Sequence, residues 1–388
     1  MYNIKLVNKI SSTGLSRLPS DKFTCGADIA APAAYLVRSA DLHSEEFNPE
    51  LLCIARAGAG VNNIPLDRAA EEGIVVFNTP GANANAVKEL VLAGLFLSSR
   101  KIFEGIEWAK TLKDEGDEVG KLVEKGKGQF VGPEIQGKTL GVIGLGAIGV
   151  LVANAAEKLG MTVLGYDPYL SVNAAWSVSH NIRHCTDINE IYEKSDYITI
   201  HVPATPETKG MINAATISLM KDGVRILNFA RGTLVNSADI LAAIEEGKVA
   251  KYVTDFPEAE LIGCENVIAI PHLGASTPES EENCAVMAVD ELKNYILHGN
   301  IKNSVNFPTV FMPRNTPCRL CVLHGNVPNT VNAITAEISA EGLNIANMQN
   351  ASKGNWAYTM VDIDGDVKDV LVEKVSALPN VVRARLIK

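Results

Sequence analysis

Residues 138–167 read KTLGVIGLGAIGVLVANAAEKLGMTVLGYD, and this stretch decides the fold of the middle of the chain. An apolar run of strand length leads directly into GLGAIG. A helical pattern of small residues follows, and a second apolar run begins after Gly160. The order strand, glycine-rich turn, helix and strand is typical of a βαβ unit that binds a dinucleotide. The sequence therefore predicts strands over 139–143 and 161–166, with a helix over 147–159 between them.

Each glycine of GLGAIG has its own physical role in such a unit. Gly144 permits the tight turn, Gly146 lets the backbone approach a pyrophosphate, and Gly149 lets the helix lie close to the sheet. The helix N-terminus offers unpaired N–H groups to the phosphates. Asp167, 18 residues beyond Gly149, is placed to accept hydrogen bonds from ribose hydroxyls and would repel a 2′-phosphate. We therefore expect NAD rather than NADP. The alternative is a Rossmann fold that binds another adenosyl ligand, or none.

The composition is that of a globular protein with full cores. The chain has 388 residues, of which 47% are hydrophobic and 21% charged, so two or three domains are expected. The net charge of −10 argues against broad binding of nucleic acid or membranes. No apolar run reaches the roughly 18–20 residues of a membrane span, and the first residues read as a short strand rather than a signal peptide. An anionic substrate must therefore be bound by a local basic cluster.

The cysteines favour a reduced, cytoplasmic protein. There are seven, an odd number, and they are scattered through the chain. Cys318 and Cys321 form a CxxC pair without a second pair or a histidine at metal-ligand spacing. We interpret them as buried strand residues rather than a zinc or redox site, and we predict no metal site.

Two arginines in the first part of the chain follow predicted strands. Residues 1–93 alternate short apolar strands with helical patterns, which predicts an α/β domain with a parallel sheet. Arg38 and Arg56 fall at strand ends, where such sheets bind ligands. A guanidinium pairs bidentately with a carboxylate or phosphate, so an anion site is favoured over ordinary surface ion pairs.

The C-terminal part of the chain has a different texture. Three prolines between residues 308 and 317 indicate a linker, and residues 318–388 then read strand, helix, strand, strand, helix, strand. That βαββαβ order predicts a ferredoxin-like domain.

Three residues after the dinucleotide motif match the needs of hydride transfer from an alcohol. A base must take the hydroxyl proton, a cation must hold the substrate, and a carboxylate must orient the base. His272, Arg231 and Glu260 supply these roles in that order. A single histidine near a strand end is more often structural, but the three together favour catalysis.

The same segments resemble the D-2-hydroxyacid dehydrogenase family. The similarity lies in NTP…KEL (residues 78–90), GLGAIG, NFARG (228–232), DFPEAE (255–260) and PHLGAST (271–277). Residues 318–388 resemble an ACT domain. The resemblance implies a flavodoxin-like substrate-binding domain formed by residues 1–95 and 283–308. It further implies a Rossmann NAD-binding domain over 96–282, an ACT-like regulatory domain over 309–388, and an active site in the cleft between the first two.

The resemblance also implies roles for individual residues. The catalytic set would be Arg231, Glu260 and His272. Because the family writes DVFPxEP where this chain has DFPEAEL, Glu258 is an alternative to Glu260. The cofactor would contact Gly144, Gly146, Ala147, Ile148, Gly149, Asp167, Ala230, Asp255 and Gly274. The substrate would contact Arg38, Ser39, Arg56 and Arg231, and an amino-acid effector would contact His324, Asn326 and Asn344.

Within the family, three segments indicate one substrate. VRSA (37–40), ARAGAGVNNI (55–64) and HLGAST (272–277) are similar to members that use NAD to oxidise 3-phospho-D-glycerate to 3-phosphohydroxypyruvate, the first step of L-serine biosynthesis. Two alternatives stay open: an unphosphorylated hydroxyacid as substrate, or an NAD-sensing regulatory protein on the same fold. We expect a homodimer or homotetramer by resemblance and by the preference of proteins for symmetric assembly.

Overall fold

In a computed structural model that describes every residue from Met1 to Lys388, the strands form three sheets. The first contains Tyr2–Leu6 (β1), Phe23–Gly26 (β2), Ala34–Val37 (β3), Cys53–Arg56 (β4) and Val75–Phe77 (β5). The second contains Thr139–Ile143 (β6), Thr162–Tyr166 (β7), Arg183–His184 (β8), Tyr197–Ile200 (β9), Val224–Asn228 (β10), Val249–Thr254 (β11) and Val267–Ala269 (β12). The third contains Cys318–Gly325 (β13), Asn344–Lys353 (β14), Trp356–Asp364 (β15) and Val381–Ile387 (β16).

Thirteen α-helices accompany the sheets. They are Ser12–Leu15 (α1), Leu66–Glu71 (α2), Ala84–Ser99 (α3), Ile102–Lys110 (α4), Val119–Gly126 (α5), Ala147–Lys158 (α6), Val172–Ser177 (α7), Asn189–Lys194 (α8), Ala214–Ser218 (α9), Ser237–Glu245 (α10), Pro278–His298 (α11), Thr330–Ala340 (α12) and Asp369–Ser376 (α13). Short 3₁₀ turns occur at Gly116–Glu118, Lys127–Phe130 and Gly232–Leu234. None of the helices is long and apolar enough to span a membrane.

The chain divides into two units, residues 1–83 with 278–388 and residues 84–277. The sequence prediction placed the first passage of the chain from the substrate-binding domain to the Rossmann domain at residue 95, inside α3. The structure places it at Ala84, because α3 packs against α6, β10 and β11 of the second unit. The close packing of α3 against the end of β10 depends on Gly94, where a Cβ atom would lie 2.9 Å from the ring of Phe229.

The first sheet is parallel, with the strand order β2-β1-β3-β4-β5. This is the flavodoxin-like order, and it confirms the predicted doubly wound class for this region. Successive residues of β3 enter different cores: Leu36 packs on the side of α11, while Tyr35 and Val37 pack on the opposite side. Both faces are therefore buried, which explains why the strand is a continuous apolar run.

The C-terminal sheet belongs to the same unit. It is antiparallel with the order β14-β15-β13-β16, as the predicted βαββαβ pattern requires. One face is covered by α12 and α13, and the other joins the core of the first sheet. Cys318 and Cys321 face these two different cores, and both are free and buried. The interpretation of the CxxC pair as buried strand residues is confirmed.

The second unit contains the seven parallel strands in the order β12-β11-β10-β9-β6-β7-β8. The chain direction across the sheet reverses between β6 and β9, which is the Rossmann arrangement and confirms the predicted fold class. The helical region that begins at Ala84 is divided into α3 and α4. The hydroxyls of Ser98 and Ser99 both donate to the Leu95 carbonyl, which weakens continuation of the helix at this point.

Candidate active site

The predicted cofactor and catalytic residues of the second unit follow strands that run in the same direction. GLGAIG follows β6, Arg231 follows β10, Asp255 follows β11 and His272 follows β12. Because these strands are parallel members of one sheet, the four segments lie at its carboxyl edge. The GLGAIG turn lies at the point where the strand order reverses, where open α/β sheets bind ligands.

The glycine-rich turn leaves open space where a phosphate would lie. A Cβ atom on Gly149 would be 1.9 Å from the Gly144 carbonyl oxygen, and one on Gly144 (φ +93°) would be 2.7 Å from the His201 carbonyl oxygen. Gly146, by contrast, has no atom within 4 Å of its Cβ position. The first turn of α6, with Ala147 and Ile148, begins directly after it, so unpaired N–H groups face this space.

Asp167 ends β7 beside the glycine-rich turn. One carboxylate oxygen accepts from the Leu145 N–H at 2.8 Å, and the other accepts from the Tyr169 N–H at 2.8 Å. The half-exposed carboxylate is therefore fixed in orientation, with lone pairs remaining for ribose hydroxyls. A phosphate at the 2′ position would meet its negative charge.

Asp255 presents a buried carboxylate with one unsatisfied oxygen. It is 1% exposed, its Oδ2 accepts from the Gly274 N–H at 3.3 Å, and its Oδ1 has no partner. Burial raises the pKa of Asp255, while His272, the Gly274 N–H and Arg231 act in the opposite direction. Since an unpaired buried acceptor is costly, Oδ1 fits an N–H donor such as a carboxamide.

Arg231 and His272 both lie near enough to this carboxylate to lower the pKa of Asp255 against the effect of burial. The buried side chain of Asn228 accepts from the Ala230 N–H at 3.2 Å and donates to the Arg231 carbonyl at 2.9 Å, which fixes the turn. The ring of His272 packs on Phe256 with centroids 4.7 Å apart. Both residues are exposed, so a ligand can reach them.

The two candidate carboxylates occupy different places. Glu258 accepts from the Ser237 hydroxyl at 2.6 Å, and its Oε1 lies 3.2 Å from the Cβ position of Gly232, next to Arg231. Glu260 is exposed, and its only hydrogen bond is made by its backbone carbonyl, which accepts from the Cys264 thiol. Neither carboxylate is hydrogen-bonded to His272, so the predicted pairing of Glu260 with His272 is absent from this structure. The DFPEAEL segment thus brings Glu258 to the Arg231 turn.

His201 is a histidine at this edge that was not a predicted site residue. It follows β9, and its Nε2 lies 2.9 Å from the Thr199 hydroxyl. Burial lowers the pKa of His201 to about 4, so the ring is neutral at neutral pH. A histidine after a predicted strand was the only sequence signal for it.

The predicted substrate residues of the first unit also follow parallel strands. Arg38 comes after β3, and its guanidinium pairs with Glu281 in the first turn of α11 at 2.7 Å. Ser39 is exposed beside it. Arg56 ends β4, and its guanidinium lies over Gly58, where a Cβ atom would be 2.2 Å from Nη1. Lys88, in the second unit, donates to the Asn85 side chain at 2.6 Å.

The predicted effector residues do not converge within one chain. His324 is 2% exposed, with Nε2 2.8 Å from the Thr359 hydroxyl, and Asn326 donates to the Gly354 carbonyl. Asn344 donates to Asp364. His324 pairs with Ala357 and Asn344 with Asp364, seven residues apart along β15. At roughly 3.3 Å per residue, the two ends are about 23 Å apart.

Comparison with known proteins identifies the fold and chemistry of the second unit. The sequence model of the family described as "D-isomer specific 2-hydroxyacid dehydrogenase, NAD binding domain" matches residues 95–274. Residues 95–274 therefore match the NAD-binding domain of this dehydrogenase family. The match runs from α3 through GLGAIG to Gly274, so it includes the Asp167 carboxylate, Arg231 and His272.

Proteins of similar sequence and fold support the same assignment for this region. A D-3-phosphoglycerate dehydrogenase of Bacillus subtilis is 34% identical over 80% of the chain, and the alignment covers 60% of that relative. One from Methanocaldococcus jannaschii is 37% identical over 67% of the chain and covered to 48%. The chain thus spans about half the length of the curated relatives it matches. An NADPH-dependent glyoxylate/hydroxypyruvate reductase of Sinorhizobium meliloti shares the fold, with a TM-score of 0.65, 23% identity, and coverage of 79% of this chain and 98% of that one.

Proposed function

We propose that this dehydrogenase oxidises 3-phospho-D-glycerate to 3-phosphohydroxypyruvate with NAD, the first step of L-serine biosynthesis. The observation that carries the proposal is the grouping of Arg231, Asp255 and His272 at the sheet edge that holds the glycine-rich turn. The 34% to 37% identity to enzymes named D-3-phosphoglycerate dehydrogenase supports the choice of substrate. Asp167 supports NAD as the cofactor rather than NADP.

Each residue has a role that follows from its chemistry. His272 takes the proton of the substrate hydroxyl, since a neutral imidazole is a suitable base near neutral pH. Arg231 binds the substrate carboxylate and polarises the forming carbonyl. Glu258, rather than Glu260, is our candidate for the carboxylate that orients His272. When bound, NAD supplies the acceptor for the hydride that leaves the hydroxyl-bearing carbon.

The substrate's other anionic group is assigned to the first unit. Arg38 and Arg56 carry the permanent charge that a phosphate needs, on turns that follow buried strands. One observation favours a second candidate, a less highly charged hydroxyacid: Arg38 is already paired with a carboxylate of its own chain, Glu281.

A direct assay tests both candidates. Purified protein and NAD are mixed with 3-phospho-D-glycerate, D-glycerate or D-lactate, and NADH formation is recorded, together with the reverse reaction. We expect the highest kcat/KM for the phosphorylated acid. His272→Ala should lower kcat by about 10²- to 10⁴-fold, the usual contribution of a general base. A higher kcat/KM for an unphosphorylated acid would support the second candidate, and no turnover in either direction would overturn the assignment.

The remaining expectations concern assembly and regulation. We propose that the chain forms a homodimer or homotetramer, and that residues 309–388 act as a regulatory domain that binds an amino acid. The argument for a second copy is that His324 and Asn344 lie at opposite ends of one sheet. The seven cysteines, all free thiols, are consistent with a reducing compartment such as the cytoplasm.

A further inference from the structure

The strand order of the first sheet places one asparagine beside a candidate anion-binding turn. The order reverses between β1 and β3, and a crevice for ligands forms at such a reversal. Asn8 follows β1, and the turn Arg38–Ala40 follows β3, so both border this crevice.

The side chain of Asn8 accepts three consecutive backbone N–H groups. Its Oδ1 lies 2.8 Å from the N atom of Arg38 and 3.2 Å from those of Ser39 and Ala40. Successive N–H groups that point to one centre form the concave arrangement in which proteins bind anions. Here an uncharged amide oxygen of the same chain occupies that centre, so the turn is held without a net negative charge.

A second amide holds the same turn from its other end. The Asn63 side chain donates to the Ala40 carbonyl at 2.7 Å. With both ends of the turn fixed, the guanidinium of Arg38 is directed to the first turn of α11, where it meets Glu281 at 2.7 Å. Because a guanidinium binds an anion bidentately only in a narrow range of orientations, the backbone of this turn controls how Arg38 binds.

We propose that Asn8 is a positioning residue for substrate binding: its amide fixes the Arg38–Ala40 turn while keeping negative charge away from it. The role rests on the proposed function, in which Arg38 and Ser39 bind the anionic substrate. Asn8 itself does not contact the reacting atoms. It acts through the orientation of the turn and through the electrostatic potential beneath the three N–H groups.

Two substitutions separate this role from a purely structural one. Asn8→Asp keeps an acceptor for all three N–H groups but adds a negative charge. We therefore expect KM for 3-phospho-D-glycerate to rise by about tenfold at low ionic strength and by less at high salt, with kcat little changed. Asn8→Ala removes the acceptor, and KM should rise at all salt concentrations while amide hydrogen exchange of residues 38–40 becomes faster.

Asn48→Asp is the matched control. Its Oδ1 also accepts a backbone N–H, that of Glu50, but it precedes β4 and lies at the amino end of the sheet. The same change of charge there should leave KM unaltered. An unchanged KM in Asn8→Asp together with unchanged thermal stability would overturn the proposal, as would an equal rise of KM in both aspartate variants.

A measurement without turnover distinguishes this proposal from the assignment of the reaction. Sulfate, a simple stand-in for the substrate's anionic group, should slow hydrogen exchange of residues 38–40 in the wild type and have a weaker effect in Asn8→Asp. If the wild type fails to oxidise 3-phospho-D-glycerate but sulfate acts as expected, the proposed reaction is wrong and the role of Asn8 stands. If sulfate protects both proteins equally, Asn8 does not shape the anion site.

Discussion

A glutamine in place of Glu291 should stabilise the protein at alkaline pH and not at acidic pH. Glu291 lies on α11 and is 7% exposed. Its Oε1 accepts from the Asn303 side chain at 2.6 Å, whereas its Oε2 is buried without a partner. Burial raises the pKa of Glu291 to about 8, against an ordinary value of 4.5. The native protein therefore holds a proton that the unfolded chain releases.

The sign and size of the effect follow from this difference in pKa. Below the unfolded value of 4.5 both states are protonated, and there is no penalty. Between the two pKa values, ionisation of Glu291 in the unfolded state lowers the free energy of unfolding by about 1.4 kcal/mol per pH unit. The loss reaches a ceiling of about 5 kcal/mol above pH 8. We expect roughly half of this, because relaxation and water penetration reduce the cost of a buried charge.

Equilibrium denaturation near the two ends of this pH range provides the assay. Glu291→Gln keeps an acceptor for Asn303 and has no charge to bury, so its free energy of unfolding should exceed that of the wild type by about 2–3 kcal/mol near pH 8 and match it near pH 5. Glu282→Gln, an exposed change on the same helix, is the control and should have no such pH dependence. The reasoning is refuted if Glu291→Gln shifts stability equally at both pH values.

Three further predictions concern ligand binding and catalysis. Asp167→Ser should raise KM for NAD by about tenfold, because the ribose hydroxyls lose the carboxylate that accepts their hydrogen bonds. The ratio of kcat/KM for NAD to that for NADP should fall, because the charge that repels a 2′-phosphate is gone. Glu258→Gln should shift the acidic limb of the pH–rate profile, whereas Glu260→Gln should leave it in place, since only Glu258 lies beside the Arg231 turn. Glu281→Gln should lower KM for the substrate, because Arg38 then lacks a competing carboxylate; an exposed pair of this kind contributes at most about 1 kcal/mol, so the change should be about threefold.

Matched measurements show what would contradict these predictions. Unchanged NADP kinetics in Asp167→Ser would remove that residue from cofactor selection. A shifted profile in Glu260→Gln instead would restore Glu260 as the candidate that orients His272. For Glu281, the control is Asp290→Asn on the same helix. This change breaks the ion pair of Asp290 with Arg17 and should leave KM unchanged.

The dinucleotide-binding unit was predictable because its signals are local. The strand over 139–143 and the helix from Ala147 were placed at their observed starts, since the glycines that separate them have steric roles only in that order. The edge strand β2 is harder to predict from sequence. It has four residues and pairs on one side only, so its sequence carries little periodicity.

The contacts that shape the candidate site were harder to predict, because they join distant parts of the chain. Asn8 meets backbone groups 30–32 residues away, and a backbone N–H leaves no trace in the identity of its residue. Glu281 lies far along the chain from Arg38, and no sequence pattern links the two residues. The sequence left Glu258 and Glu260 as alternatives, and the proximity of Glu258 to Gly232 is a contact between residues 26 positions apart that the sequence does not indicate.

The geometry of the C-terminal sheet limits how an effector site could be built from the predicted residues. β14 is an edge strand with largely exposed side chains, running from Asn344 to Lys353. Lys353 lies beside the start of β15, at the same end of the sheet as His324. Asn344 lies at the opposite end of the sheet. If two copies of β14 paired in antiparallel fashion, each chain's Asn344 would lie at the same end of the joined sheet as the other chain's His324 and Asn326. An amino-acid site made of these residues would therefore require two chains and would occur twice, so binding and assembly would be thermodynamically linked.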